Sequence, residues 1–373
     1  MTAFFDLVSC KFLYPMNYTL SMLPLLSFPQ KKCNFLLIAA VAAAFSSCGQ
    51  AHSENKQATD STALALKPKT DTIVTEKTFS SLDTAAYDQF LVAMTNKDSS
   101  GKWPVKSVYP RAGALLPFNR IVAFYGNLYS TKMGVLGEYP RKEMLAKLKE
   151  EVKKWQAADT TVKVIPALHY IATTAQGSPG KGNKYRLRMP FKQIDSVLSM
   201  AKEINALVFI DIQVGHSTVQ EEVPLFEQYF KMPNVHFGID PEFSMKGGQK
   251  PGAAIGTYDA ADINYVSGYL AKLVKENNLP PKILVVHRFT RAMVTNYKQI
   301  KLQPEIQVIM DMDGWGAQAR KINTYKQFIY NEPVQFTGFK LFYKNDYREP
   351  KSRMMTPDEV LRLKPKPLYV QYQ

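Results

Sequence analysis

Residues 234–245 read NVHFGIDPEFSM, an apolar run that ends in two carboxylates one residue apart, Asp240 and Glu242. Side chains two apart along a strand share a face, so both acids are expected to emerge together at the strand's carboxyl end. Pro241 between them has no N–H to donate, so pairing with a neighbouring strand should weaken where the acids appear. Such an ending suits chemistry better than a core.

Outward from this stretch the same unit recurs. Upstream lie IVAFYGN (121–127), VKVIPALHYIA (162–172) and ALVFIDIQVG (206–215); downstream lie KILVVHRF (282–289), IQVIMDMDG (306–314), FTGFKLFY (336–343) and PLYVQYQ (367–373). Near-continuous apolar runs of this length indicate strands buried on both faces. Helical spacing separates them: Leu145, Leu148, Val152 and Trp155; Ile194, Val197, Leu198 and Ala201; Val223, Phe226, Tyr229 and Phe230; a long helix from Asp259; a weaker one near 290–300; Ile322, Tyr325, Phe328 and Ile329; and a short one opened by the capping pattern Thr356-Pro357-Asp358-Glu359. Strict alternation requires each crossover to return to the same end, which gives a parallel sheet. Eight units predict an α/β fold, a single TIM-like (β/α)8 barrel over 119–373 that lacks its final helix. An open doubly wound sheet would show a glycine-rich first turn, and Tyr125-Gly126-Asn127 is not one. Ahead of the barrel, Tyr87, Phe90, Leu91 and Met94 predict one amphipathic helix within a lead-in over 83–118, placed to cover the gap or to plug the barrel floor.

In a barrel of this kind, active groups come from the carboxyl ends of the strands. In order these ends offer Tyr125 and Asn127; His169; Asp211 and Gln213; Asp240 and Glu242; His287 and Arg288; Asp311 and Asp313; Lys340 and Tyr343; Tyr369 and Gln371. Charges inside apolar runs need partners or shifted pKa values, and a purely structural network would pair Arg288 and Lys340 with Asp211, Asp240 or Asp311. Scaffolding alone does not require a polar group at one end of every strand. Tyr125, Tyr170, Phe243, Trp315, Phe342 and Tyr343 could stack on sugar rings, and Trp315 stands out in the turn Asp313-Gly314-Trp315-Gly316. The loops 177–188 and 244–257 mix Gly, Pro and basic residues and could bring positive charge over a substrate.

The amino-terminal part points to an address. Lys31 and Lys32 precede FLLIAAVAAAFSSC, a charged region followed by a short apolar one, as in a secretory signal. Phe45-Ser46-Ser47-Cys48-Gly49 resembles the lipobox of bacterial lipoproteins, with Phe45 where that pattern prefers Leu. The resemblance implies a signal peptide over 1–47, lipidation of Cys48 and a membrane anchor, outside the cytoplasm. A second apolar patch ahead of the lysine pair points to a start at Met16 or Met22. Residues 48–82, rich in Ser, Thr, Lys, Gln and Asp, read as a disordered tether.

The chain carries +15, and removing residues 1–47, with three Lys and one Asp, leaves +13. That excess favours anionic surfaces or substrates. With an extracytoplasmic address and no run of five basic residues, glycans or lipid headgroups fit and nucleic acid does not. Cysteines occur only at 10, 33 and 48, so the barrel can use neither disulfides nor thiolate chemistry.

Asp240-Pro241-Glu242 resembles the D-x-E end of the family-eighteen chitinase motif and the D-x-E of certain barrel-fold lysozymes. The resemblance implies Glu242 as general acid, with Asp240 orienting an acetamido group or raising the pKa of Glu242, assisted by Asp313 and Tyr343. The longer D-x-x-D-x-D-x-E pattern is not met, because Val235 and Gly238 occupy its earlier Asp positions, and Val214-Gly215-His216-Ser217 replaces the S-x-G-G of strand three. The reading is therefore a glycoside-hydrolase-like barrel without cofactor or metal. Its catalytic set is Glu242, Asp240, Asp211, Asp313 and Tyr343, and its substrate-binding set is Tyr125, Asn127, His169, Gln213, His287, Arg288, Trp315 and Lys340. Two alternatives share these residues. One is a metal-dependent hydrolase or isomerase ligated by His169, Asp211, Asp240, Glu242, His287 and Asp311. The other is a glycan-binding lipoprotein without catalysis.

Overall fold

The computed structural model describes residues 81–373. The signal, Cys48 and nearly all of the 48–82 tether lie outside the described residues. Eight strands form the barrel: β1 (Asn119–Gly126), β2 (Lys163–Ala175), β3 (Leu207–Ile212), β4 (Val235–Ile239), β5 (Lys282–Arg288), β6 (Ile306–Met312), β7 (Phe336–Leu341) and β8 (Tyr369–Tyr372). Every neighbouring pair is parallel, and β1 pairs with both β2 and β8, so the sheet closes on itself. The runs that predicted strands are these strands, shifted by a few residues at their ends.

The helix α1 (Thr84–Met94), capped by Asp83, plugs the floor. Its Tyr87 and Met94 join Trp103 and Leu116 in one apolar cluster with the lower lumen residues Ile121, Ala123, Ala167, Phe209, Ile283, Val285, Ile309 and Phe336. Burying each large side chain there contributes on the order of 2 kcal/mol. The end of α1 is also tied to the β7–β8 connection. Asn96 donates to the carbonyls of Leu361 and Leu363, and the Lys366 N–H donates to the carbonyl of Met94 at 2.8 Å.

Outside the strands, α2 (Arg141–Ala158) buries Met144, Leu145, Leu148 and Trp155, and α3 (Phe191–Glu203) buries Ile194, Val197, Met200 and Ala201, both at the predicted spacing. Two connections differ from prediction. Between β3 and β4 the helix is broken into short turns at Val219–Glu222, Val223–Phe226 and Glu227–Phe230, because Pro224 cannot donate to the preceding turn. After α4 (Ala260–Glu276) and β5, no α-helix forms over 290–300. Val294–Thr295 pairs with Tyr258–Asp259, left-handed Asn296 (φ 56°) interrupts the chain, and only the turn Tyr297–Gln299 follows. α5 (Gln318–Tyr325) precedes β7, and the predicted capping box at Thr356 opens a four-residue helix, Pro357–Val360. Among the described residues, no helix is long and apolar enough to cross a membrane.

Candidate active site at the barrel mouth

Strand parity sorts the predicted residues into two groups. Below, alternate positions of each strand pack the floor. One or two steps higher, the same inward positions become polar: Tyr125 on β1, His169 on β2, Asp211 on β3, His287 on β5, Asp311 on β6, Lys340 on β7, and Tyr369 and Gln371 on β8, all buried. The register keeps them level, with Tyr125 beside His169, His287 beside Asp311, and Lys340 beside Gln371. Room for them comes from two glycines inside strands. A Cβ at Gly238 would lie 2.5 Å from His169 Nε2, and one at Gly338 would lie 2.5 Å from Asp311 Oδ1.

Asp211 is the centre of a chain of contacts. Its Oδ2 accepts from His169 Nε2 at 3.0 Å and from His287 Nε2 at 2.9 Å. His169 Nδ1 lies 2.5 Å from the Tyr369 hydroxyl, which in turn accepts from Gln371 Nε2 at 2.8 Å. This network fits a neutral His169 with its proton on Nε2, and burial pushes its pKa down to about 4. His287 behaves oppositely. Burial would lower its pKa, but Asp211, Asp311 and Asp313 outweigh burial and hold it well above the usual imidazole range. Its Nδ1 is 3.2 Å from Asp313 Oδ2 and 3.4 Å from Asp311 Oδ2, aligned with neither as a hydrogen bond. The same imidazoles hold Asp211 ionised against its burial.

Above this layer Lys340 sits 3.9 Å from the centre of the Tyr125 ring and 2.9 Å from Asp313 Oδ1. Burial opposes ionisation of Asp313, but Lys340 and His287 outweigh it and lower its pKa. The expectation that Asp240 and Glu242 continue one strand face is corrected. β4 ends at Ile239, and Pro241–Phe243 form a 3-10 turn capped by Asp240, whose Oδ1 accepts the Glu242 N–H at 3.1 Å. Proline at the first turn position favours that bend over further pairing. The turn is fixed on both sides, since Gly215 N–H donates to the Phe243 carbonyl at 2.9 Å and Gly256 N–H to the Glu242 carbonyl at 2.6 Å.

The bend still brings both acids into the field of the mouth. Asp240 is buried and held by Gln213 Nε2 at 3.2 Å, and Gln213 is itself fixed by the Ala175 N–H. Glu242 is half-buried. Burial, then the charge of Asp240 and of Asp313, raises the Glu242 pKa to about 8, and burial raises Asp240 to about 7. The pKa values of two neighbouring carboxyls are therefore pushed apart, Glu242 upward and Asp313 downward.

Several predicted members lie elsewhere. Arg288 has the opposite parity to His287 and points into the wall, where its guanidinium pairs with Glu332 and donates to the carbonyls of Thr290, Phe328, Arg291 and Val294. It is no substrate ligand. Tyr343 follows the end of β7 and stacks on Tyr372 at 5.3 Å in the outer cluster, with Glu151 of α2 as its charged neighbour, so it is removed from the catalytic set. Tyr170 also faces outward, donating to Gln193. Asn127 caps its own turn, accepting from the Tyr129 N–H at 2.6 Å and donating to the Ile171 carbonyl, and has no free group for a ligand. Trp315 is half-buried beneath the Arg348 guanidinium at 5.4 Å. The basic loop after β2 folds back as a short strand, Arg186–Arg188, and both its arginines grip Glu222. Asp311, Tyr369 and Gln371 are strand-end residues that the chosen site set omitted; their inward parity is the signal that identifies them.

No protein-family model and no curated protein matches the chain. Solved structures similar to it include a cellulase at 12% identity and TM-score 0.36, over 59% of this chain and 65% of that one, so this chain spans a little under two thirds of it. A hyperthermophilic endo-β-1,4-glucanase in complex with substrate is similar at 11% identity and TM-score 0.37, over 69% and 89% of the two chains. A mannanase of Bacillus subtilis is similar at 11% identity and TM-score 0.39, over 78% and 86%. These likenesses reach no further than barrel shape, and the fold rests on the closed order of eight parallel strands.

Proposed function

We propose that the mouth is an acid–base site for cleaving a glycan, with Glu242 as the proton donor. The observation that carries this reading is a half-buried carboxyl, kept protonated at neutral pH, in the field of an ionised carboxylate that Lys340 and His287 hold in place. Carboxyls whose surroundings push their pKa values apart divide the acid and anion roles. Glu242 gives its proton to the leaving oxygen as the glycosidic bond breaks. The positive charge growing at the anomeric carbon is met by Asp313 and by Asp240; water then bonds to that carbon, and the proton it loses restores the Glu242 carboxyl. Asp211, His169 and His287 act beneath, orienting and charging this layer. Gln213 fixes Asp240.

The Phe45–Gly49 segment supports a lipid-anchored, extracytoplasmic protein, and the net charge supports an anionic or N-acetylated glycan. The test is release of reducing ends from N-acetylglucosamine oligomers and from an anionic polysaccharide. Wild type should release them and Glu242→Gln should not. Equal release by the two proteins removes Glu242 from the chemistry, and binding without release by wild type favours a glycan-binding protein.

A further inference from the structure

Under the mouth, three side chains from β2, β3 and β5 converge. His169 Nε2, an Asp211 oxygen and His287 Nε2 all lie within 4.8 Å of one another, and all three residues are fully buried. Asp211 Oδ2 is 3.0 and 2.9 Å from the two nitrogens. Those separations are close to the ligand–ligand edges around a cation whose bonds to nitrogen and oxygen are about 2.0–2.2 Å.

Three features favour a bound cation over a hydrogen-bonded cluster alone. The far nitrogen of each imidazole lies beside oxygens: His169 Nδ1 is 2.5 Å from the Tyr369 hydroxyl, and His287 Nδ1 is 3.2 Å from Asp313 Oδ2 and 3.4 Å from Asp311 Oδ2. A cation on the two Nε2 atoms would displace their protons and leave each ring's proton on Nδ1, where these oxygens can take the hydrogen bond that orients a metal-bound imidazole. A buried oxygen is left over, too. Asp211 Oδ1 has no hydrogen-bond donor, although the residue has no solvent exposure. A buried carboxylate oxygen without a donor costs several kcal/mol, and a cation removes that cost. Finally, Gly238 lets His169 Nε2 and Asp211 lie against the β4 backbone with no side chain of β4 between them, because a Cβ there would lie 2.5 Å from His169 Nε2 and 3.2 Å from Asp211 Cγ.

We propose that His169, Asp211 and His287 bind one divalent transition-metal ion, Zn²⁺ being the probe of choice. Two imidazoles and a carboxylate suit Zn²⁺, Fe²⁺ or Mn²⁺; Mg²⁺ and Ca²⁺ prefer all-oxygen sites, and the barrel offers no thiolate for softer ions. The ion would sit one layer below Glu242. The inference is independent of the glycosidase reading.

The full chain is stripped with a chelator, and Zn²⁺ is added back. Calorimetry and elemental analysis should find about one equivalent bound, with a rise in melting temperature. Co²⁺ should give the intense visible bands of a four- or five-coordinate nitrogen-ligated site. His169→Gln and the milder Asp211→Asn should each lower Zn²⁺ affinity at least tenfold and weaken those bands, and Glu242→Gln should leave stoichiometry unchanged. Failure of wild type to retain Zn²⁺, or a Co²⁺ spectrum no different from the aqueous ion, overturns the proposal whether or not a variant folds. Undiminished binding by both folded variants places the ion elsewhere and overturns it as well.

Discussion

The barrel holds two populations of buried charge, one in its wall and one in its lumen, and they are built differently. In the wall several ions are saturated. Lys321 donates to both oxygens of Asp346 and to the Lys340 carbonyl, and Asp346 also accepts the N–H groups of Gly316 and Phe342. Arg288 and Glu332 are similarly closed, as is Glu222 between Arg186, Arg188 and Ser217. In the lumen, Asp211, Asp240, Asp311 and Asp313 outnumber Lys340 and the one protonated imidazole, and several oxygens lack donors. Saturated pairs hold elements together. Unsaturated ones, gathered at the carboxyl ends of the strands, are available for ligands or protons.

This contrast can be broken or sharpened by experiment. The largest effect should come from Glu242→Gln in the lumen, a loss of about 10²–10⁴-fold in turnover with no fall in melting temperature. A large fall in stability would instead put Glu242 with the wall ions. Arg288→Ala should do the reverse, costing about 3–5 kcal/mol in denaturant unfolding because it leaves Glu332 with only the exposed Arg291 and takes the donor from four carbonyls, while the folded fraction keeps its KM. Gly238→Ala forces a methyl group against His169 and should cost about 1–3 kcal/mol.

A smaller signal is the pH dependence of stability. The Glu242 pKa lies near 8 in the fold against 4.5 for the free side chain, so the folded state binds the extra proton between those values. Its contribution is present below pH 4.5 and is lost as the pH rises to 8. Glu242→Gln should therefore gain stability relative to wild type from pH 5 to pH 8, and parallel melting curves across that range would contradict the raised pKa. The smallest effect belongs to Tyr343→Phe, within about 0.5 kcal/mol and without change in turnover, because its ring packs outside the lumen.

Much of this arrangement was legible in the chain. Apolar runs of strand length, alternating with helical spacing, identified all eight strands, and the polar endings of those runs marked the mouth. Parity within a strand separates residues that adjacency does not. His287 and Arg288 are neighbours in sequence, yet one faces the lumen and the other the wall. Tyr343 and Asn127 lie beyond the last paired residue of their strands, where alternation no longer governs direction. The 3-10 turn at Pro241 was foreshadowed by its missing N–H, but its course depends on Gly215 and Gly256, which are distant in sequence. The weak helix near 290–300 failed because Asn296 takes up a left-handed conformation, a local choice that apolar spacing does not reveal.

Closure of the ring has a kinetic corollary. Ile121 pairs with Tyr369, so the first strand finds its second partner only when the final residues of the barrel have been synthesised. Until then β1 and β7 each present a row of unsatisfied amides and carbonyls, the kind of surface that recruits other nascent chains. Deleting Tyr369–Tyr372 would make that transient state permanent, turning a closed ring into a sheet with two new edges.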